Sequence, residues 1–309
     1  MPARGWSNIA PAMKKIFILL CLAGSARAQT AFAPGAIPTT DPINAGGAFT
    51  PDGDTVYYFR RGQGADTTLA IVFSRKDHGA WTPPQVASFS GRYTDLEPSL
   101  SPDGSYMVFS SNRPTTPGGG RLDGRYNGKS YTGGGGNLWR VDRTPSGWGE
   151  PWLLGPSINA DSSVFSPCIA PDGSLYFMKP DSGKAFHLYR ASVGGTSEPL
   201  PFSRTAYGDF DPAVGPGEAY VVFSSPRPSL PDSVHKTHLF IVFRTPQGWT
   251  EPLDLRSAFP GGGIWGVEAH LSPDGKTLYY ANVDVKVMPM KETIWSLDLT
   301  ALLKEHGIG

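Results

Sequence analysis

Four copies of one phrase dominate this sequence: Phe49-Thr50-Pro51-Asp52-Gly53, Leu100-Ser101-Pro102-Asp103-Gly104, Ile169-Ala170-Pro171-Asp172-Gly173 and Leu271-Ser272-Pro273-Asp274-Gly275. A fifth, degraded copy is Val214-Gly215-Pro216-Gly217-Glu218. Proline presets φ, aspartate bonds the backbone ahead and glycine accepts a positive φ, so Pro-Asp-Gly predicts a tight turn between two strands. The prolines recur at intervals of 51, 69, 45 and 57 residues, about the length of one propeller blade with its loops. Strand-like runs follow each turn (55–59, 106–110, 175–177, 220–224 and 277–280), and third strands follow those (68–74, 137–142, 187–191, 238–244 and 293–299).

A second phrase marks the outer edge of each unit. Ala80-Trp81-Thr82-Pro83-Pro84, Gly147-Trp148-Gly149-Glu150-Pro151 and Gly248-Trp249-Thr250-Glu251-Pro252 carry it, and Glu198-Pro199-Leu200 is a version without tryptophan. Proline is tolerated there because an outer strand has a free edge. The last unit lacks this strand and ends in Leu299-Thr300-Ala301-Leu302-Leu303-Lys304, expected to form a short helix. Residues of about 33–41 are expected to supply the missing strand and close the ring, which removes the exposed sheet edges. The predicted fold is an all-β propeller of five blades with four antiparallel strands each. The long interval from Pro102 to Pro171 leaves a sixth blade open.

Composition agrees. Glycine (38) and proline (30) are abundant and only 17% of residues are charged, a profile of many turns between short apolar strands and not of a disordered chain. Lys plus Arg equals Asp plus Glu, 27 each, so the basic excess of a nucleic-acid binder is missing. Met13-Lys14-Lys15, the apolar run from Ile16 to Gly24 and Ala26-Arg27-Ala28 read as a secretory signal, with cleavage expected after Ala28. The expected organisation is therefore an extension and signal over 1–28 and one propeller domain over 29–309, periplasmic or secreted, with no membrane span. Cys168 is then the one cysteine of the mature chain, and its apolar strand predicts a buried structural thiol.

The run Glu97-Pro98-Ser99-Leu100-Ser101-Pro102-Asp103-Gly104, followed by Val108-Phe109-Ser110-Ser111-Asn112-Arg113, resembles the WD-like "PD" repeat of TolB-type propellers. The likeness extends over nearly all of the mature chain. It implies a propeller that holds a protein segment or cell-envelope component at its channel mouth.

Catalytic signatures do not appear. The sequence has no Gly-x-Ser-x-Gly elbow, no His-Glu-x-x-His helix and no phosphate-cradling Gly-x-x-x-x-Gly-Lys-[Ser/Thr] loop. His235 and His238 are close in sequence, but a zinc site needs further ligands, and no calcium loop is written in the chain. No cofactor, metal or catalytic residue is expected. Residues 112–136, rich in glycine, read as one long flexible loop.

Propeller topology puts the loops between strands two and three on the face opposite the Pro-Asp-Gly turns. Acids, arginines and aromatics fall there: Tyr93, Asp95, Glu97, Asn112, Arg113, Tyr207, Asp209, Asp211, Arg227, Trp265 and Glu268. Such a rim suits a peptide or a small saccharide, while the same acids and arginines also suit structural pairs between blades. Two functions follow. One is an exported binding module for a protein or envelope component. The other is a carbohydrate-active enzyme, a glycosidase or polysaccharide lyase, using Asp95, Glu97, Asp211 or Glu268.

Overall fold

The computed structural model describes residues 30–31, 44–61, 68–181, 184–203, 206–228, 237–259, 266–284 and 291–309. Five antiparallel sheets form the ring, one for each copy of the turn phrase. Blade I contains Asn44–Phe49, Thr55–Arg61 and Leu69–Asp77 from the inside outward, edged by Ala80–Trp81 and Gln85–Val86. Blade II contains Asp95–Leu100, Tyr106–Ser111 and Asn137–Thr144, edged by Gly147–Trp148 and Trp152–Leu153. Blade III is Phe165–Ile169, Leu175–Pro180, Phe186–Ala191 and Ser197–Pro199. Blade IV contains Phe210–Val214, Tyr220–Ser225 and His238–Thr245, edged by Gly248–Trp249 and Leu253–Asp254. Blade V contains Gly266–Leu271, Thr277–Asp284 and Lys291–Asp298.

An N-terminal strand closes the ring, as expected. It is Thr30–Ala31, with Thr30 opposite Ser296 and Ala31 opposite Trp295. This pairing is a few residues earlier than the 33–41 read from sequence, a stretch outside the described residues. The C-terminal helix is Thr300–Glu305. It buries Leu302 and Leu303 in the cluster that holds Phe243 and Leu255 of the blade IV side. His306 then stacks on Phe243 at 3.8 Å.

The turns are built as their residues dictate. Gly53, Gly104, Gly173 and Gly275 take φ of +70°, +71°, +83° and +70°. The aspartate of each turn accepts the N–H two residues ahead, at 2.9 Å for Asp52, 3.0 Å for Asp103, 2.8 Å for Asp172 and 3.1 Å for Asp274. These bonds stabilise the ionised form: the Ser105 N–H, with the Ser101 and Ser105 hydroxyls, pulls Asp103 down to about 2. The degraded copy forms the short 3-10 turn Pro216–Glu218. Its Glu218 carboxylate bridges Arg190 at 2.8 Å and Arg244 at 2.9 Å.

The core lies between neighbouring blades. Tyr58, Tyr176, Tyr220 and Tyr280, all in second strands, are almost wholly buried, and each large side chain so buried contributes about 1.5–3 kcal/mol. The outer tryptophans wedge into the same seams. Trp148 stands edge-on to Tyr57 and Phe89, and its Nε1–H donates to the Tyr57 hydroxyl at 3.2 Å. Trp249 stands edge-on to Phe202 in the same way.

Candidate functional site

Every innermost strand breaks its ladder at one matching place. The register shifts fall between Ala45 and Ala48, Leu96 and Ser99, Phe165 and Cys168, Phe210 and Ala213, and Val267 and His270. A bulge bends the strand and re-aims a side chain. Four of these bulges hold a non-glycine residue in the left-handed region: Glu97 (φ 51°), Ser166 (49°), Asp211 (53°) and Glu268 (58°). Such a conformation costs about 1–3 kcal/mol, and its repetition in four blades turns all four residues toward the channel axis. In blade I the matching positions are Gly46 and Gly47, which add no side-chain group.

The result is a cluster that no single stretch of sequence contains. One carboxylate oxygen each from Glu97, Asp211 and Glu268 lie within 4.8 Å of one another. Hydrogen bonds run around it from blade to blade. Glu97 Oε2 accepts the Ser166 N–H at 2.6 Å and the Ser110 hydroxyl at 2.7 Å. Asp211 Oδ1 accepts the Ser166 hydroxyl at 2.8 Å, and Oδ2 accepts the Glu268 N–H at 3.0 Å. Burial, and after it the neighbouring charge of Asp211, pushes the Glu97 carboxyl up to about 7; burial also raises Asp211. Glu97, Ser166, Pro167, Asp211, Pro212, Glu268, Ala269 and His270 enclose a void of about 10 Å³.

Toward the Pro-Asp-Gly turns the channel widens into a cavity of about 340 Å³. Its lip is a ring of five turn prolines: Pro51, Pro102, Pro171, Pro216 and Pro273. Below them the wall is largely neutral, with Ser99, Cys168, Ala213 and His270 among its residues. Burial lowers His270 to about 4, so it stands there as a neutral imidazole. Cys168 Sγ accepts the Val214 N–H at 3.4 Å, and burial pushes its thiol up to about 11. The cavity is thus at the opposite end from the rim that the sequence singled out.

At that rim the paired residues hold the blades together. Asp95 is fully buried; Oδ1 accepts from Ser111 Oγ at 2.6 Å and Arg113 Nη2 at 2.8 Å, and Oδ2 accepts from Ser90 Oγ at 2.7 Å. Ser90 in turn accepts the Ile71 N–H of blade I. The blade IV copy matches. Asp209 accepts from Arg227 Nη2 at 2.6 Å and Ser203 Oγ at 2.7 Å, and Ser203 accepts the Leu188 N–H of blade III. The guanidinium of Arg113 lies 5.6 Å from the Tyr93 ring centroid and 4.9 Å from that of Phe109, and Arg227 lies over Phe223 and Phe240.

Asn112 is buried, its amide donating to Gly133 O at 2.8 Å and accepting the Thr94 N–H. Tyr207 is 43% exposed. Trp265 lies outside the described residues, as does His235, while His238 is fully buried in blade IV. Sequence reasoning thus named the three axial acids but grouped them with rim residues, and it missed Ser166. A signal for Ser166 was present: Glu97, Ser166 and Glu268 each stand six residues before the turn aspartate, and Asp211 stands six before Gly217.

The 112–136 segment, read from sequence as one long loop, contains a hairpin. Gly124–Tyr126 pairs with Lys129–Tyr131 through Asn127 and Gly128, at φ 52° and 69°. Two successive positive φ values suit the type I′ turn that Asn-Gly favours. Tyr126 stacks on Tyr131 at 4.3 Å and packs against Phe165 and Phe186. The Asn127 N–H donates to Lys184 O and the Arg125 N–H to Ser163 Oγ. This hairpin therefore stands over the blade III side of the rim.

Comparison with solved structures agrees on the architecture. The chain is similar to TolB from Acinetobacter baumannii, with a TM-score of 0.51 at 16% identity over 83% of this chain and 54% of that one. It thus spans about half of that TolB chain. It is also similar to the arabinanase Arb43A of Bacillus subtilis (TM-score 0.47, 12% identity, 84% and 98% covered) and to a Trypanosoma rangeli sialidase (0.44, 12%, 85% and 56%). No family model matches the chain, and no characterised protein matches it in sequence. At 16% identity the likeness to that TolB chain establishes the propeller fold alone.

Proposed function

We propose that the protein is an exported binding module whose turn-end cavity holds a segment of another protein or an envelope component. One observation carries this reading: the cavity of about 340 Å³ with its proline lip. That volume lies in the range of about 300–1,000 Å³ typical of ligand sites. A lip of five prolines is stiff, since the pyrrolidine ring fixes φ, so little ordering opposes binding. The segment from Met13 to Ala28 supports export, and among the described residues no helix is long and apolar enough to cross a membrane.

The hydrolytic alternative loses its support in the geometry. A glycosidase sets two accessible carboxyl groups roughly 5–9.5 Å apart across the scissile bond. Here Asp95 is held by Arg113, while Glu97, Asp211 and Glu268 meet within 4.8 Å around a void smaller than any sugar.

The test uses the thiol already in the wall. Mature chain (29–309) and its His270→Trp variant, which fills the cavity, are each offered to an envelope extract. A component that wild type retains, that the variant does not, and that slows alkylation of Cys168 supports the reading. Equal retention by both proteins refutes the cavity as the site.

A further inference from the structure

We propose that the turn-end cavity takes an uncharged, extended peptide segment and reads its main chain, with Leu100 and Leu271 as open rungs. The proposal rests on the reading of this cavity as a binding site and names the chemistry of its occupant.

Ladder parity comes first. Residues of an antiparallel pair alternate between those that bond their partner and those that turn both N–H and C=O away from it. Near the end of each innermost strand, the N–H of Thr50, Ser101, Ala170, Gly215 and Ser272 donates to the C=O of Thr55, Tyr106, Ser174, Tyr220 and Thr277 respectively, where the second strand begins. The residue just before each donor therefore turns both groups toward the channel: Phe49, Leu100, Ile169, Val214 and Leu271. All of these line the cavity.

A belt of side chains runs beside them, four positions before the turn aspartate or its replacement Gly217: Ala48, Ser99, Cys168, Ala213 and His270. Each can meet a backbone group of the next blade. Ser99 Oγ of blade II accepts the Ile169 N–H of blade III at 3.0 Å, and Cys168 Sγ of blade III accepts the Val214 N–H of blade IV at 3.4 Å. The same ring geometry sets Ala48 of blade I toward Leu100 of blade II, and Ala213 of blade IV toward Leu271 of blade V. A methyl group accepts no hydrogen bond. The N–H groups of Leu100 and Leu271 thus stay open to the cavity, each beside its own carbonyl.

A residue with both groups open offers the pair of bonds that one residue of an added antiparallel strand completes. The rest of the wall suits such a segment. Ser99, Ser101 and Ser272 are engaged within the ring, and proline and aliphatic side chains make up most of what remains. No Lys, Arg, Asp or Glu is among the lining residues. A charged side chain brought there would lose its water and gain no counter-charge, which is costly.

Two measurements on the mature chain test this. Residue-resolved amide exchange by NMR reads the rungs without a ligand: Leu100 and Leu271 should exchange at least about tenfold faster than Ile169 and Val214, whose N–H groups are bonded. Equal protection at all four overturns the proposal. The second measurement uses an array of capped hexapeptides of Gly, Ala, Ser, Val and Thr, with copies carrying a central Lys or Glu. Wild type should bind members of the uncharged set, the charged copies should bind at least about tenfold more weakly, and a bound peptide should slow exchange at Leu100 and Leu271. Ala48→Ser combined with Ala213→Ser copies the Ser99 arrangement and gives each open N–H an internal acceptor. It should weaken the same peptides about tenfold without lowering the melting temperature. Ser99→Ala, which opens the Ile169 rung, should not weaken them. Binding of no uncharged peptide, or equal binding by wild type and the double variant, overturns the proposal. A peptide lost by His270→Trp but kept by the double variant leaves the cavity as the site and removes the rungs; an envelope component still held through the cavity when no peptide binds leaves the site and removes the peptide.

Discussion

The two ends of the channel are made from the same strands but do opposite work. At the rim, blades II and IV each bury a Ser–Asp–Arg clip that ties the blade to the one before it. At the turn end the same strands finish in neutral residues and a proline lip, and a cavity stays open. Charge density along a rim is therefore not the same as free charge. The residues with the richest chemistry at the rim are engaged with one another, and the plain, repeated turn surrounds the accessible space.

The largest effect should come from breaking a clip. Arg113→Ala or Arg227→Ala leaves Asp95 or Asp209 buried without its partner. Each should cost about 3–5 kcal/mol in urea unfolding, with alkylation of Cys168 in the native state unchanged. A loss below about 1 kcal/mol would return the rim arginines to the role of a free binding surface.

Next is the pH dependence of the axial trio. Glu97 has a folded value of about 7 against an ordinary 4.5, so between these values the folded state binds more protons than the unfolded one. The stabilisation is complete below about pH 4.5 and is lost as pH rises through about 7, by up to about 3 kcal/mol. Melting curves should show this fall, and Glu97→Gln should flatten it. A wild-type curve without slope would mean that Glu97 ionises freely and that the two ends are electrostatically alike.

Tyr126→Ala tests the hairpin. It removes a half-buried ring from Phe165, Phe186 and Tyr131 and should cost about 1–2 kcal/mol, less than the loss at a fully buried aromatic. Amide exchange should accelerate in residues 124–131 and leave the turn end untouched. The smallest expected change in stability is that of His270→Trp, below about 1 kcal/mol, because the new ring enters open space. Its effect should appear as slower alkylation of Cys168. Unchanged alkylation would show that the wall at His270 and the wall at Cys168 do not share one space.

The ring itself was legible because its signal is periodic. Five Pro-centred turns, each with a strand before and after, predict five blades with no knowledge of contacts; the long Pro102–Pro171 interval left a sixth open, and the structure places a two-stranded hairpin there instead. The hairpin was legible in principle, since Tyr126-Asn127-Gly128-Lys129 carries the strongest short-range hairpin signal; the surrounding glycines hid it. The axial trio was not. Its acids were visible singly, but a bulge depends on strand register, and left-handed backbone is uncommon for any residue other than glycine. Only pairing in three dimensions turns residues from blades II, IV and V toward one point.

Closure by Thr30–Ala31 sets the order in which this molecule can be completed. Its partners, Trp295 and Ser296, belong to the third strand of blade V, so this strand waits while the blades between them assemble. Loop-closure entropy and long-range pairing make such a final step slow. Until it happens the nascent ring is a horseshoe with two raw ends, each able to recruit a strand from another chain. Thr30 and Ala31 thus serve as a clasp, and the time before it fastens is the interval in which this protein is most exposed to aggregation.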